Sequence, residues 1–264
     1  MSTLDYIMNI THMSVSRKTL WDECKKKYYY KYHLKLQPEE QEPFYFTYGK
    51  IIHKIAEEFV ERKGSSPISE VTQLVLNGEI PIERGETGNV LAPKLPIEYR
   101  MRMPGHLSSL DKITSQIGFD GDLEWDFKHD LDPPNNKLVV GFIDRLVRKK
   151  DNFFILDYKT TKKGKFRKDR NTIKHDLQLR TYAKIVQNKF NVPAENINTA
   201  LYYLEGGNLI SSKFSQKSLD EAERVLLESY DEIKDMQPEQ VWGNVGNHCF
   251  RCEYSKICPH FKKN

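Results

Sequence analysis

The sequence has no apolar run approaching the ~18 residues that a membrane-crossing helix needs. It has no internal repeat and no low-complexity tract. It also lacks the phosphate-binding pattern G-x4-G-K-[ST], so no NTPase motor is encoded in it. Asp5 comes early and no signal-like apolar region follows it, so a cytoplasmic location is expected. Charge of one sign is not in large excess. With 41 basic and 37 acidic side chains the net charge is +4, too small by itself to mark a nucleic-acid binder. Cysteine is scarce: four in 264 residues, without a secretion signal, argue against a disulfide framework and for metal or redox chemistry. What remains is a soluble enzyme or binding protein of one large domain or two small ones.

The apolar pattern predicts a first helix within 14–36, with Ser16 as N-cap, Val15 and Leu20 as staple, and Leu20, Cys24 and Tyr28 on one face. It is rich in lysine and tyrosine. An acidic loop spans Pro38 to Pro43. A second helix is expected from about Thr47 to Lys63 with Ile52, Ile55, Ala56 and Phe59 as its stripe. Residues 65–120 read as short, weakly helical pieces. Strands are expected at Leu123–Phe127, Leu138–Val147 and Phe153–Lys159, then a helix at Ile173–Phe190 and a strand at Asn198–Leu204. Ser218 and Glu221 make a capping box for a last helix reaching about Asp235. The order helix, three strands, helix, strand indicates an α/β core with a mixed sheet.

The strand pair carries the chemistry. The link Lys149-Lys150-Asp151-Asn152 is short and polar, as a hairpin requires. Closed symmetrically about 150/151, the hairpin sets Asp144 opposite Asp157, with Lys159 on the same face as Asp157. Opposed side chains have Cβ atoms roughly 4.5–5.5 Å apart. Two carboxylates that close repel each other, and a divalent cation, Mg²⁺ or Mn²⁺, is the natural counter-charge. A lysine beside the metal can hold a water or stabilise charge developing on a phosphate. The bland alternative is a structural ion pair of the aspartates with Lys159 or Arg145.

Gly141-Phe142-Ile143-Asp144, Asp157-Tyr158-Lys159-Thr160, Gln178-x3-Tyr182 and Gly49-x3-His53, in the order of the family's motifs, resemble the PD-(D/E)XK nucleases of the RecB type. The resemblance covers 14–62, 120–205 and 247–260. It implies a restriction-endonuclease-like α/β core in a single domain over 1–264, with 120–205 as catalytic core and 65–120 as an insert. It implies Asp144, Asp157, His53 and Tyr158 as metal-binding residues and Lys159 as catalytic. Gln178 and Tyr182, one helical turn apart on one face, would support the site and the DNA. Glu124 is at most an outer carboxylate in this reading.

Cys249-x2-Cys252-x5-Cys258-Pro259 is a metal signature, and Cys24 lies far upstream. This one-plus-three arrangement is similar to the iron–sulfur staple of a branch of these nucleases, among them CRISPR-adaptation nucleases and AddB-type subunits, in which four thiolates hold a 4Fe–4S cluster. A tie from Cys24 to the tail over 247–264 would stabilise the fold by roughly 5 kcal/mol on the cross-link estimate. Zinc bound by the same four cysteines, or with His248 or His260 replacing Cys24, is the alternative. The loop after Lys159 carries Lys162, Lys163, Lys165, Arg167, Lys168 and Arg170, a candidate path for a phosphate backbone. The expectation is a Mg²⁺- or Mn²⁺-dependent deoxyribonuclease, an exonuclease acting on single strands or DNA ends. A helicase, recombination or CRISPR-adaptation protein is a candidate partner. A DNA-binding accessory subunit and a zinc-stabilised interaction protein are the alternatives.

Overall fold

The hairpin around 150/151 forms with the expected register. In the computed structural model, which describes residues 10–38, 43–85, 88–164 and 167–261, β4 (Leu138–Lys149) and β5 (Asn152–Lys159) pair antiparallel from Lys149↔Asn152 to Arg145↔Leu156. Lys150 takes the left-handed turn conformation at φ 55°. β5 then pairs in parallel with β6 (Ile197–Tyr203), and the crossover a parallel pair requires is α6 (Leu177–Phe190). With β3 (Asp122–Asp130) and β7 (Asn208–Ser212), the sheet has the order β3-β4-β5-β6-β7. β7 is absent from the sequence reading. Its NLISS pattern is mostly exposed, so it carries little apolar signal.

The chain forms two compact units, each built from separate stretches. One comprises 43–126 and 142–219. Its core joins α3 (Phe44–Glu61), α4 (Ile68–Leu76) and α5 (Ile97–Ile117) to one face of the sheet, where Leu156, Tyr158, Ala200 and Tyr202 meet Ile51, Ile55, Val71, Val75 and Leu110. The region 65–120 is therefore not a string of weak pieces. It holds two helices and a small hairpin, β1 (Glu83–Gly85) and β2 (Gly88–Val90). α5 buries Tyr99, Met103, His106, Leu110 and Ile113 at alternating steps of four and three, and runs through Pro104. Tertiary packing of that stripe overrides the helix-breaking proline.

The other unit comprises 1–42, 127–141 and 220–264. Its N-terminal segment is not one helix. α1 (Val15–Glu23) is capped by Ser14, not Ser16, through Arg17 N–H donating to Ser14 Oγ at 3.2 Å. That makes Val15 the first helical residue rather than a staple. Cys24 breaks the helix with an extended φ/ψ of -162° and 107°. α2 (Lys25–Tyr28) follows, then a wide turn of π type over Tyr29–His33. The buried face carries Trp21, Cys24 and Tyr28, while Leu20 is half-buried. Trp21 Nε1 donates to Glu232 Oε2 at 3.0 Å on α7 (Gln216–Asp235). The capping box expected at Ser218 does not form. α7 starts two residues earlier, Ser215 Oγ accepts from Ser218 N–H, and Glu221 pairs with Arg224. Most of the acidic loop of 38–43 lies outside the described residues.

Candidate active site

Asp144 and Asp157 approach each other where the β4–β5 ladder stops. Beyond Arg145↔Leu156 a side chain takes over from the backbone: Tyr158 N–H donates to Asp144 Oδ2 at 2.6 Å. This fixes the Asp144 carboxylate at the edge of the strand pair. The second aspartate, Asp157, is almost fully buried and pairs with Lys159 Nζ at 2.6 Å. Arg145 is not a partner of either. Its guanidinium donates to the carbonyls of Gly118 and Asp120, in the loop that leads into β3.

That loop delivers a residue given little weight in the sequence. Glu124 sits in the left-handed region at φ 42°, rare for a non-glycine residue and common at functional sites. Just before it, Gly121 has φ 114°, and a Cβ there would lie 2.6 Å from Leu146 O, so the turn needs glycine. His53, on α3, reaches the same place. Its Nε2 lies 3.1 Å from the Tyr158 carbonyl, which only accepts, so Nε2 carries the proton. Nδ1 is thereby turned toward Asp144 Oδ1 at 3.4 Å and Glu124 Oε1 at 3.7 Å. Fixing one ring nitrogen on a backbone carbonyl to free the other is the usual arrangement around a metal-binding histidine.

Ligand atoms of His53, Glu124 and Asp144 all lie within 4.8 Å of one another. One nitrogen and two carboxylates suit Mg²⁺ or Mn²⁺, with the nitrogen favouring Mn²⁺. Asp157 stands beside this group on Lys159. Tyr158, expected among the metal-binding residues, contributes only its backbone here, since its ring is buried in the core with α3. Asp122, Glu124 and Asp126 alternate along β3, and nothing in their spacing singles out Glu124.

Lys159 is held from both sides. It pairs with Asp157, and it donates to Gln178 Oε1 at 3.2 Å. Gln178 Nε2 in turn donates to Tyr182 Oη at 2.7 Å. Both residues belong to α6, whose first turn is capped by Asp176 Oδ1 accepting from Leu179 N–H at 2.9 Å.

The charges are strongly coupled. Burial pushes the Asp157 carboxyl up to about 6, with neighbouring Asp144 adding to the rise against the pull of Lys159. Burial also acts to raise Asp144, but His53 outweighs it and holds that carboxyl below its ordinary value. For His53, burial favours the neutral ring, yet Asp144 and Glu124 raise it well above its ordinary value. Burial likewise disfavours the Lys159 ammonium, but Asp157 and Asp144 keep it protonated. A lysine kept protonated is able to donate to developing negative charge rather than to accept a proton.

The basic loop is partly committed to its own structure. Arg167 donates to the carbonyls of Thr161 and Glu205, and Lys168 pairs with Asp176 at 2.6 Å. Lys162, Lys163 and Arg170 are exposed, and Lys165 lies outside the described residues.

In the other unit, Cys24, Cys249, Cys252 and Cys258 line one cavity, with Tyr30, His248 and His260 also in its wall. The tail is fastened around it. Asn244 Nδ2 donates to Glu23 O at 3.0 Å, Tyr254 Oη to Leu36 O at 3.1 Å, and Lys27 pairs with Glu253 at 3.0 Å.

A mixed five-stranded α/β fold thus sets a His–Glu–Asp group that could hold a divalent metal beside a buried Asp–Lys pair. The model of the PD-(D/E)XK nuclease superfamily matches residues 12–259, and the chain belongs to that superfamily. Its members are hydrolytic nucleases that use divalent metals. A search of curated proteins returns no match. Among solved structures, a provisionally assigned exonuclease from Eubacterium rectale is similar at 13% identity and a TM-score of 0.52, covering 96% of this chain and 90% of its own. That likeness shows a shared fold. The structure of the protein SSO0001 matches at 14% identity and a TM-score of 0.42, over 98% of this chain and 92% of its own.

Proposed function

We propose that this protein is a RecB-like deoxyribonuclease that hydrolyses phosphodiesters with Mg²⁺ or Mn²⁺, acting as an exonuclease on single strands or DNA ends. The observation that carries the reading is the His53–Glu124–Asp144 group beside the Asp157–Lys159 pair. His53, Glu124 and Asp144 would hold the metal, with Asp157 joining them as it releases its proton. When bound, a divalent cation polarises the phosphodiester and lowers the pKa of its water. Lys159 stabilises the charge that develops on the phosphate oxygens, and Gln178 and Tyr182 hold the ammonium in place. The exposed Lys162, Lys163 and Arg170 extend the positive surface beyond the strand end that carries Lys159.

The four cysteines are proposed to bind a 4Fe–4S cluster, supported by the one cavity that all four line. A brown protein with iron supports this, and a colourless one with stoichiometric zinc overturns it. The sequence has no motor motif, so any unwinding would come from a helicase, recombination or CRISPR-adaptation partner.

The test is cleavage of end-labelled single- and double-stranded DNA with Mg²⁺, Mn²⁺ or EDTA. Asp144→Ala, Asp157→Ala and Lys159→Ala should each abolish cleavage while the protein stays folded. The aspartate changes should weaken metal binding and Lys159→Ala should not. Metal-dependent cleavage by purified Asp157→Ala at a rate near wild type would sink the assignment.

A further inference from the structure

Three aromatic side chains stand exposed around the metal-binding group without serving the core. Along β4, Ile143, Asp144, Arg145, Leu146 and Val147 are all buried, yet Phe142 is 58% exposed. Phe142 precedes Asp144 by two residues, so both point to the same face, about 6.5 Å apart along the strand. The other two sit on α3. Tyr45 and Phe46 are 53% and 47% exposed, and their rings lie 4.3 Å apart. Phe46 is seven residues before His53, so it shares the His53 face of the helix two turns away, about 10 Å along the axis. Between them Gly49 lies beside Thr160, the residue after Lys159, with Thr160 Oγ1 4.0 Å from where a Cβ would stand. Helix and strand thus each present an aromatic surface next to the catalytic group.

An isolated exposed aromatic is ordinary. Here the position is informative, because Phe142 and Phe46 each lie on the face and in the element that supplies a metal-binding residue, and Tyr45 packs against Phe46. An uncharged flat ring there offers no hydrogen bond and no charge to a phosphate. What it offers is a stacking surface, and only unpaired bases present a free face to it.

Building on the nuclease reading, we propose that Phe142 and the Tyr45–Phe46 pair are base-stacking positions flanking the scissile phosphate, and that they make single-stranded DNA the preferred substrate. Phe142 receives a base on the Asp144 side, and Tyr45–Phe46 receives one on the His53 side. A paired duplex cannot offer those bases, so its contact with the site is confined to the backbone.

The test uses Phe142→Leu, Phe142→Trp and the double change Tyr45→Leu/Phe46→Leu. All alter exposed side chains, and leucine keeps the apolar character while removing the flat ring. Each stacked base is worth about 5- to 150-fold in affinity. On single-stranded DNA the leucine variants should therefore raise KM about fivefold or more with kcat little changed, and Phe142→Trp should keep wild-type KM. The melting-temperature gain from Mn²⁺ should be unchanged in all, since none of the replaced side chains is among the metal-binding residues. Stacking is also read without cleavage. Binding of a 2-aminopurine-containing single strand in EDTA should quench its fluorescence in wild type and Phe142→Trp, and much less in the leucine variants. Unchanged KM and unchanged quenching in both leucine variants would overturn the proposal. Quenching that depends on Phe142 in a protein that cleaves nothing would uphold the stacking positions and overturn the nuclease reading.

Discussion

At the metal-binding group, each side chain has its protonation set by the others. Burial pushes the Asp157 carboxyl up to about 6, from an unfolded value near 3.9. The stability contributed by its protonated form is present at low pH and lost as pH rises through 6. His53 is raised above its unfolded value, so its contribution also fades as pH rises. Asp144, held low, acts in the opposite sense and loses its contribution only in acid. Bound metal takes the place of those protons. The melting-temperature gain from Mn²⁺ should therefore be small at pH 5 and grow as pH rises through 6 and on through the higher range where His53 gives up its proton, and a gain independent of pH would remove both residues from the metal. Glu124 faces the Nδ1 side of His53, so Glu124→Gln takes away one charge without a change of shape. It should raise the metal concentration for half-maximal cleavage about tenfold with the fold intact. A titration of activity against Mn²⁺ checks this.

The elements place these residues by short-range rules, and α6 shows how closely stability and chemistry are joined. Asp176 caps its first turn with one carboxylate oxygen and pairs with Lys168 through the other. Gln178, two residues on, holds Lys159. Asp176→Ala should lower stability by about 1 kcal/mol, about 2–4 °C in melting temperature, and should reduce kcat further because Gln178 loses its fixed turn. Asp176→Asn keeps the cap and should restore most of the melting temperature. Thermal unfolding and steady-state rates of the two variants separate the cap from the ion pair. The break at Cys24 is another such rule. An uninterrupted helix from 14 to 36 would not need the extended backbone that Cys24 adopts, and the chain takes it up at the residue that joins the cysteine cavity.

For the molecule as a whole, the cysteine cavity closes a loop of more than two hundred residues between Cys24 and Cys249. If a cluster ties them, Cys24→Ala should bleach the protein, lower its melting temperature and loosen the tail, with cleavage lost only indirectly. Iron per chain and thermal unfolding against wild type decide it. Full iron and an unchanged melting temperature would hand the fourth ligand position to His248 or His260, both in the cavity wall.

The β4–β5 register, the shared face of Asp157 and Lys159, and the pairing of Gln178 with Tyr182 are legible in the residue order alone. These depend on period-two alternation and on helical neighbours four apart, which act over a few residues. The place of Glu124, the extended backbone of Cys24 and the long helix α5 depend instead on contacts between distant segments. Glu124 reaches His53 because the buried Arg145 anchors the loop before β3 and because φ at 124 is left-handed. Neither is written in the spacing of Asp122, Glu124 and Asp126. α5 holds through Pro104 because its stripe of Tyr99, Met103, Leu110 and Ile113 is buried against α3, α4 and the sheet. Burial against distant segments outweighs local propensity there, and local propensity is all that a linear reading can weigh.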